Sequence, residues 1–307
     1  MEEKKLETGK VIRRTKGFYY LRSVNGDEVE CKIKGRLFKK SKYNNQIAVG
    51  DDVNYTKNQQ DSVGLIASIN PRKSFLSRNR VGINAEQVIA ANIDYLLIVT
   101  SAKNPSFREN LANRMLVAAS IGNITPVMII TKTDLVNQKE LDQIVEPYLK
   151  LNIEIIQTSI FHPQQNPRLI EILSNGISVV AGQSGVGKSS LLNFLFPLLN
   201  IKVGAIIQKT LKGSHTTTYS IMHQISENGF VIDTPGIREF GLWNVTQKNI
   251  NQFYPIISEY QFSCKHRNCR HIHEPDCAVK LAVEDKIIHP RLYQGYQSIY
   301  NSFNEDY

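Results

Sequence analysis

No apolar run in these 307 residues approaches the ~18 residues a membrane-spanning helix requires. The opening stretch MEEKKLETGK lacks the apolar h-region of a secretory leader, so export by that route is not expected. Four cysteines are too few for a disulfide framework in a chain of this size. There is no internal repeat and no low-complexity tract. With 41% hydrophobic, 21% charged and 8% aromatic residues, disordered, collagenous and coiled-coil classes are excluded as well. What is left is a globular chain long enough for about two domains of ~150 residues, expected to be cytoplasmic and to have no membrane partner.

The net charge of +9 is unevenly placed. Residues 1–80 hold 18 Lys and Arg against 9 Asp and Glu, and the rest hold 19 of each. A small basic module beside a neutral body points to a polyanionic partner such as nucleic acid. Within that module Val11–Val24, Glu28–Ile33, Val53–Tyr55 and Val63–Ile69 read as short strands. Asn25-Gly26 and Gly50-Asp51 supply turns between them. Short strands at this spacing predict a small closed barrel of OB type over residues 1–72. Phe18, Tyr19, Tyr20 and Tyr43 interleave with its basic residues as a stacking platform for RNA would, although at least half of them are expected in the core. Cys31 is expected to be a small core residue.

Residues 71–93 read as a polar connector. From Asp94 the texture changes to apolar strands without alternation (Tyr95–Val99, Val127–Thr131, Ile153–Thr158, Ile177–Ala181), separated by helical stretches at Phe107–Ile121, Lys139–Lys150, Arg168–Ser174 and Lys188–Leu199. That pattern predicts an α/β domain with a parallel sheet covered on both faces.

Gly182-Gln183-Ser184-Gly185-Val186-Gly187-Lys188-Ser189, with Ser190 following, is G-x-x-x-x-G-K-S between a strand and a helix. This context is what a phosphate-binding loop needs. Its glycines let backbone N–H groups turn toward phosphate oxygens, and the helix N-terminus adds positive potential. Lys188 is expected to reach the β- and γ-phosphates as a catalytic cation, and Ser189 to bind Mg²⁺. Asp233-Thr234-Pro235-Gly236 follows the strand Phe230–Ile232. Asp233 there can act on Mg²⁺ and Gly236 can present its N–H to a γ-phosphate. Between the two lies Gly213-Ser214-His215-Thr216-Thr217-Thr218. One of Thr216, Thr217 and Thr218 would complete the metal shell, and spacing does not choose among them. His215 is a candidate for positioning the attacking water, because Ile237, which follows Gly236, cannot.

Thr131-Lys132-Thr133-Asp134 ends a buried strand. A carboxylate at Asp134 can accept from guanine N1–H and its 2-amino group, both of which adenine lacks. Lys132 can lay its stem along the base, and Ser159 closes another strand nearby. The expected ligands are therefore GTP and GDP with Mg²⁺.

The order of these motifs (base motif, closing serine, phosphate loop, threonines, D-x-x-G) is a circular permutation of the usual GTPase order. A permuted GTPase between a barrel and a cysteine-rich tail resembles the small ribosomal subunit biogenesis GTPases, and the resemblance covers essentially the whole chain. It implies a GTPase domain over residues 80–242 and a zinc-binding helical module over 243–307. It further implies GTP hydrolysis stimulated by the small ribosomal subunit late in its maturation, contact with rRNA, release after hydrolysis, and a monomer. Two positions depart from the family's pattern. Thr131 stands where Asn is common, and Ser214 where Arg is common. The first is expected to reduce guanine affinity, and the second to weaken a contact to phosphate or rRNA.

Cys264-x₄-Cys269-x-His271-x₅-Cys277 offers three thiolates and an imidazole, a closed set suited to structural Zn²⁺ rather than to catalysis. His273 could compete with His271; the family pattern favours His271. Because this module follows the D-x-x-G segment, nucleotide state is expected to tilt it.

Overall fold

Alternation in the first seventy residues and its loss after Asp94 produce two kinds of sheet. The computed structural model describes residues 6–15, 17–33, 47–57, 63–79, 85–161, 166–197, 220–233 and 241–303, with Asp233 described through its backbone. Strands β1 (Leu6–Arg14), β2 (Tyr19–Ser23), β3 (Glu28–Ile33), β4 (Asp52–Thr56) and β5 (Gly64–Ile69) form the N-terminal barrel. It closes because β1 pairs with both β2 and β4, while β3 lies parallel to β5. Alternate residues turn inward: Val11, Tyr19, Leu21, Val29, Val53, Tyr55 and Ile66 are buried around Cys31. Burial pushes the Cys31 thiol up to about 11, so it is an inert core residue as expected. Tyr19 belongs to the core, whereas Tyr20 lies beneath the Arg13 guanidinium, 3.7 Å from ring centre to cation, and Lys32 lies 4.7 Å from the Phe18 ring. Tyr43 lies outside the described residues.

The expected connector is in part a hairpin, β6 (Phe75–Asn79) with β7 (Glu86–Ala91). A register shift between Leu76 and Ser77 breaks the alternation that would reveal a strand, yet Leu76, Ala90 and Ala91 are fully buried. Asp51, buried at the end of the barrel, accepts from Arg72 Nε at 2.6 Å and Nη2 at 2.8 Å and from the Ala48 amide at 2.8 Å, which ties the barrel to the connector.

Beyond it come β8 (Tyr95–Ser101), α1 (Glu109–Ile121), β9 (Thr125–Thr131), α2 (Gln138–Val145), β10 (Glu154–Gln157), α3 (Pro167–Ser174), β11 (Asn175–Ala181), α4 (Lys188–Leu195), β12 (Ile221–Gln224) and β13 (Asn228–Asp233). The strand order is β10-β9-β8-β11-β13-β12, parallel except for β12. Both faces are covered, which is why these strands read as continuous apolar runs. Leu96 and Ile98 face α1, whereas Leu97 and Val99 pack with Leu169 and Leu173 of α3 and Leu191 of α4. The barrel adds to the far edge: Arg13 of β1 registers with Ile221 of β12, and Arg22 Nη1 donates to Gln224 Oε1 at 2.6 Å.

Helices α5 (Ile250–Phe253), α6 (Ile257–Tyr260), α7 (Ala278–Glu284) and α8 (Pro290–Ser302) build the C-terminal module. Helix α8 crosses α1 closely. A Cβ at Gly295 would fall 2.1 Å from Asn113 Nδ2 and 2.7 Å from the Tyr254 hydroxyl, so any larger residue would have to displace these two buried side chains. Ile250, Tyr254, Cys269, Cys277, Tyr296 and Ile299 share one continuous core with Leu96 and Met115 of the sheet domain. The module and the sheet domain are thus built on one shared core.

Candidate nucleotide and metal sites

All five parallel strands end at one edge of the sheet, with Ser101 of β8 in register with Thr131 of β9, Ala181 of β11 with Ile98, and Val179 with Ile232 of β13. The phosphate loop, the base motif and the backbone of Asp233 thus emerge side by side, at the edge where open α/β sheets bind ligands. The loop's shape depends on glycine. Gly182 sits at φ 150° with its absent Cβ only 2.0 Å from the Val99 carbonyl, and Gly187, at φ 92°, opens α4 in the left-handed region. Lys188 folds back across the loop mouth, its Nζ donating to the Gly182 carbonyl at 2.8 Å and the Gln183 carbonyl at 2.7 Å. Phosphate oxygens entering the loop would compete with those carbonyls for the ammonium.

The base motif is bolted to the phosphate loop. Thr131, buried, donates its hydroxyl proton to the Val186 carbonyl at 2.6 Å, with the Thr100 carbonyl 3.0 Å away. Its single proton is used there, leaving none for a base. Lys132, in the left-handed region at φ 57°, sends Nζ to the Gly185 carbonyl at 2.7 Å and to the Asn104 carbonyl. Thr133 opens a 3₁₀ turn whose Asp134 carboxylate accepts from the Ser159 hydroxyl. Two residues widely separated in the chain, both singled out in the sequence, therefore meet through a direct hydrogen bond. Thr131→Val is expected to destabilise the fold by about 1–3 kcal/mol, since the buried Val186 carbonyl loses its donor with little change in volume. Urea unfolding checks it; an unchanged midpoint means the hydroxyl contributes nothing.

The loop at residues 102–108 escaped the sequence reading. It closes the side of the site: Ser101 Oγ donates to the Pro105 carbonyl at 2.6 Å, and Asn104 receives Lys132. An N-P dipeptide signals only a turn, and nothing local places that turn against the phosphate loop. Ser214, His215, Thr216, Thr217, Thr218, Gly236 and Ile237 lie outside the described residues, as does the side chain of Asp233. Ser189 and Ser190 occupy the first turn of α4.

In the C-terminal module, the ligating atoms of Cys264, Cys269, His271 and Cys277 all lie within 4.8 Å of one another. His271 Nδ1 is 3.5 Å from Cys264 Sγ and 3.4 Å from Cys277 Sγ, and those two sulfurs are 3.9 Å apart. A tetrahedral Zn²⁺ with ordinary bond lengths has edges of ~3.6 Å (N to S) and ~3.8 Å (S to S), so the set fits that ion. His271 is fully buried and His273 is exposed, so the geometry answers the choice that spacing left open. Burial pushes the Cys269 thiol up to about 12, raises Cys277 and lowers His271. A cation at their centre would offset the desolvation of the thiolates.

Glu274, absent from the sequence reading, organises this loop. Burial opposes its charge, yet amides of Arg270 at 2.7 Å, Ile272 at 3.1 Å and His273 at 3.2 Å hold its carboxyl below the usual range. Lys265 is paired with Asp276 at 2.8 Å on the surface.

Comparison with known proteins agrees with this architecture. The RsgA GTPase family profile matches residues 69–243, and the RsgA N-terminal domain profile matches residues 8–66. A protein of Flavobacterium psychrophilum named small ribosomal subunit biogenesis GTPase RsgA is 34% identical over 308 residues, covering 98% of this chain and 94% of its own. A Bacteroides fragilis protein of the same name is 33% identical over 296 residues, covering 95% of each. Among solved structures, YjeQ from Thermotoga maritima superposes with a TM-score of 0.78 at 27% identity, covering 99% of this chain and all of that one. YloQ, titled a circularly permuted GTPase, gives 0.76 at 29% identity over 99% and 96%. With the permuted motif order, the closed barrel and the Cys₃His cluster all in place, the chain belongs to the RsgA GTPase family.

Proposed function

We propose that this chain hydrolyses GTP in the biogenesis of the small ribosomal subunit, binding the subunit and its rRNA in the GTP state and leaving after hydrolysis. The observation that carries the reading is the contact between Asp134 and Ser159 beside a phosphate loop fastened to the same motif through Thr131 and Lys132. A site of this kind holds a base and a triphosphate at once.

In the proposed mechanism the phosphate-loop amides of residues 182–190 hold the β- and γ-phosphates. The Lys188 ammonium, turned from its carbonyls to the γ-phosphate, stabilises charge as it develops. Ser189, Asp233 and one of Thr216, Thr217 and Thr218 would hold Mg²⁺, which when bound neutralises phosphate charge. Water attacks in line with the bond to the leaving oxygen, and His215 is proposed to accept its hydrogen bond. Asp134 supplies guanine specificity, with Thr131, Lys132, Thr133 and Ser159 shaping its surroundings. Gly236 would contact the γ-phosphate and lose that contact on hydrolysis, which links nucleotide state to subunit affinity.

The proposed division of labour places RNA contact on the barrel of residues 1–72, where Arg13 and Lys32 ride on exposed-side aromatics. Nucleotide chemistry falls to residues 80–242 and structural Zn²⁺ to residues 243–307, in a protein acting as a cytoplasmic monomer. No helix among the described residues is long and apolar enough to cross a membrane. GTP turnover is expected to rise roughly tenfold or more on adding purified small subunits, because the intrinsic site lacks a glutamine to orient water. An unchanged rate, or equal subunit affinity with GDP and a non-hydrolysable GTP analogue, overturns the reading.

A further inference from the structure

Three large apolar side chains remain open to solvent around the Asp134–Ser159 pair. Leu135, which follows Asp134, is 40% exposed; Ile160 and Phe161, which follow Ser159, are 41% and 73% exposed. Scattered exposed apolar residues are ordinary on protein surfaces. Here they flank a carboxylate–hydroxyl pair able to read polar edges, and polar readers with apolar walls are the ordinary make-up of a small-molecule site. A purine has the matching shape, with donors and acceptors on its rim and apolar faces.

Each face of such a base needs a wall. The Lys132 stem can supply one, since its Nζ is drawn across to the Gly185 and Asn104 carbonyls. For the other side, Phe161 has its backbone fixed next to the pair, because its amide donates to Ser159 Oγ at 3.2 Å while the same hydroxyl donates to Asp134. The atom that orients the base-reading carboxylate thus also sets where the ring begins.

We infer that Phe161 is the second wall of the base site and that its ring stacks on the purine of the bound nucleotide. This rests on the guanine-nucleotide reading above and adds to it a residue acting on affinity without selectivity. Every base has a π-face, so stacking favours any purine, whereas Asp134 discriminates by hydrogen bonds. The two contributions separate experimentally.

Phe161→Ala is expected to weaken GDP binding about tenfold, the scale of one base–aromatic stack, while leaving the ratio of GDP to ADP affinity unchanged. Binding of inorganic tripolyphosphate, which occupies the phosphate loop and has no base, is expected to stay the same. Phe161→Tyr is expected to restore GDP affinity. The side chain is largely in water, so these variants should fold as the parent does. A second readout uses Phe161→Trp combined with Trp243→Phe, which removes the chain's sole tryptophan. GDP is expected to quench the new indole and tripolyphosphate is not. A parent that binds GDP together with a Phe161→Ala variant of equal affinity, or an indole indifferent to GDP, overturns the wall alone. A parent that fails to bind GDP overturns the guanine reading and this inference with it.

Discussion

Asp134→Asn is expected to weaken GDP binding by roughly 10²–10⁴-fold and to bring xanthosine diphosphate above GDP in affinity. The carboxylate can accept from both N1–H and the 2-amino group of guanine. Hydrogen bonds to a charged group are worth about 1.5–3 kcal/mol each; the uncharged amide keeps one acceptor without the charge and turns a donor toward the 2-amino group, so the cost is about 3–6 kcal/mol. The amide that replaces it offers one acceptor and one donor. Xanthine carries a carbonyl where guanine carries the amine, so it presents the complementary pair. The variant should fold, because the Ser159 hydroxyl, which now donates to Asp134, can donate to the amide oxygen instead. Competition among GDP, xanthosine diphosphate and ADP measures the effect. GDP affinity within a few-fold of the parent would show that Asp134 does not read the base, and with it would fall the guanine specificity that the motif implies.

Much of this site was legible in the sequence because its constraints are local. A phosphate loop needs positive-φ backbone and close approach, and both force glycine at Gly182 and Gly187. Strands β8, β9 and β11 announced themselves because burial on both faces leaves no polar alternation. The hairpin of β6 and β7 did not, since most of its residues are only half-buried and its buried ones owe their burial to Val49 and α1, distant in sequence. Spacing named Cys264, Cys269 and Cys277, the family pattern favoured His271 over His273, and the fold buries His271 while leaving His273 exposed. Glu274 and Asn104 act through backbone amides and carbonyls, which carry no residue signature. Phe161 was invisible for the opposite reason, as an exposed aromatic has no periodic pattern and gains meaning only when Ser159 and Asp134 are seen to touch. The Thr131 departure also changes character in the fold. Its hydroxyl keeps the link to Val186 and gives up any bond to the base, which locates the expected loss of guanine affinity in one missing donor.

Cys277→Ser, or removal of the metal by chelation, is expected to lower the thermal transition of the entire described body by roughly 10 °C or more. Structural Zn²⁺ bound by Cys and His ligands contributes about 10–16 kcal/mol in isolated peptides. A loss of even a third of that corresponds to a fall of this size, at about 2–4 °C per kcal/mol for a folded unit of 150–250 residues. The loss should not stay within the C-terminal module. Cys269 and Cys277 belong to the same core as Tyr254, Tyr296, Met115 and Leu96, and α8 presses Gly295 against Asn113 of α1. Loosening the ligand loop also releases the hydroxyls of Tyr293 and Tyr296, which donate to the His271 carbonyl at 2.6 Å and the Arg270 carbonyl at 2.7 Å. Helix α1 follows directly on the loop at residues 102–108 that walls the phosphate site. Nucleotide binding and secondary structure should therefore disappear in one transition rather than two. Calorimetry with a parallel metal assay tests both parts of the claim. Stoichiometric loss of zinc with an unmoved transition would leave the cluster without a structural role. A separate early transition that spares GDP binding would mean the shared core does not couple the module to the sheet.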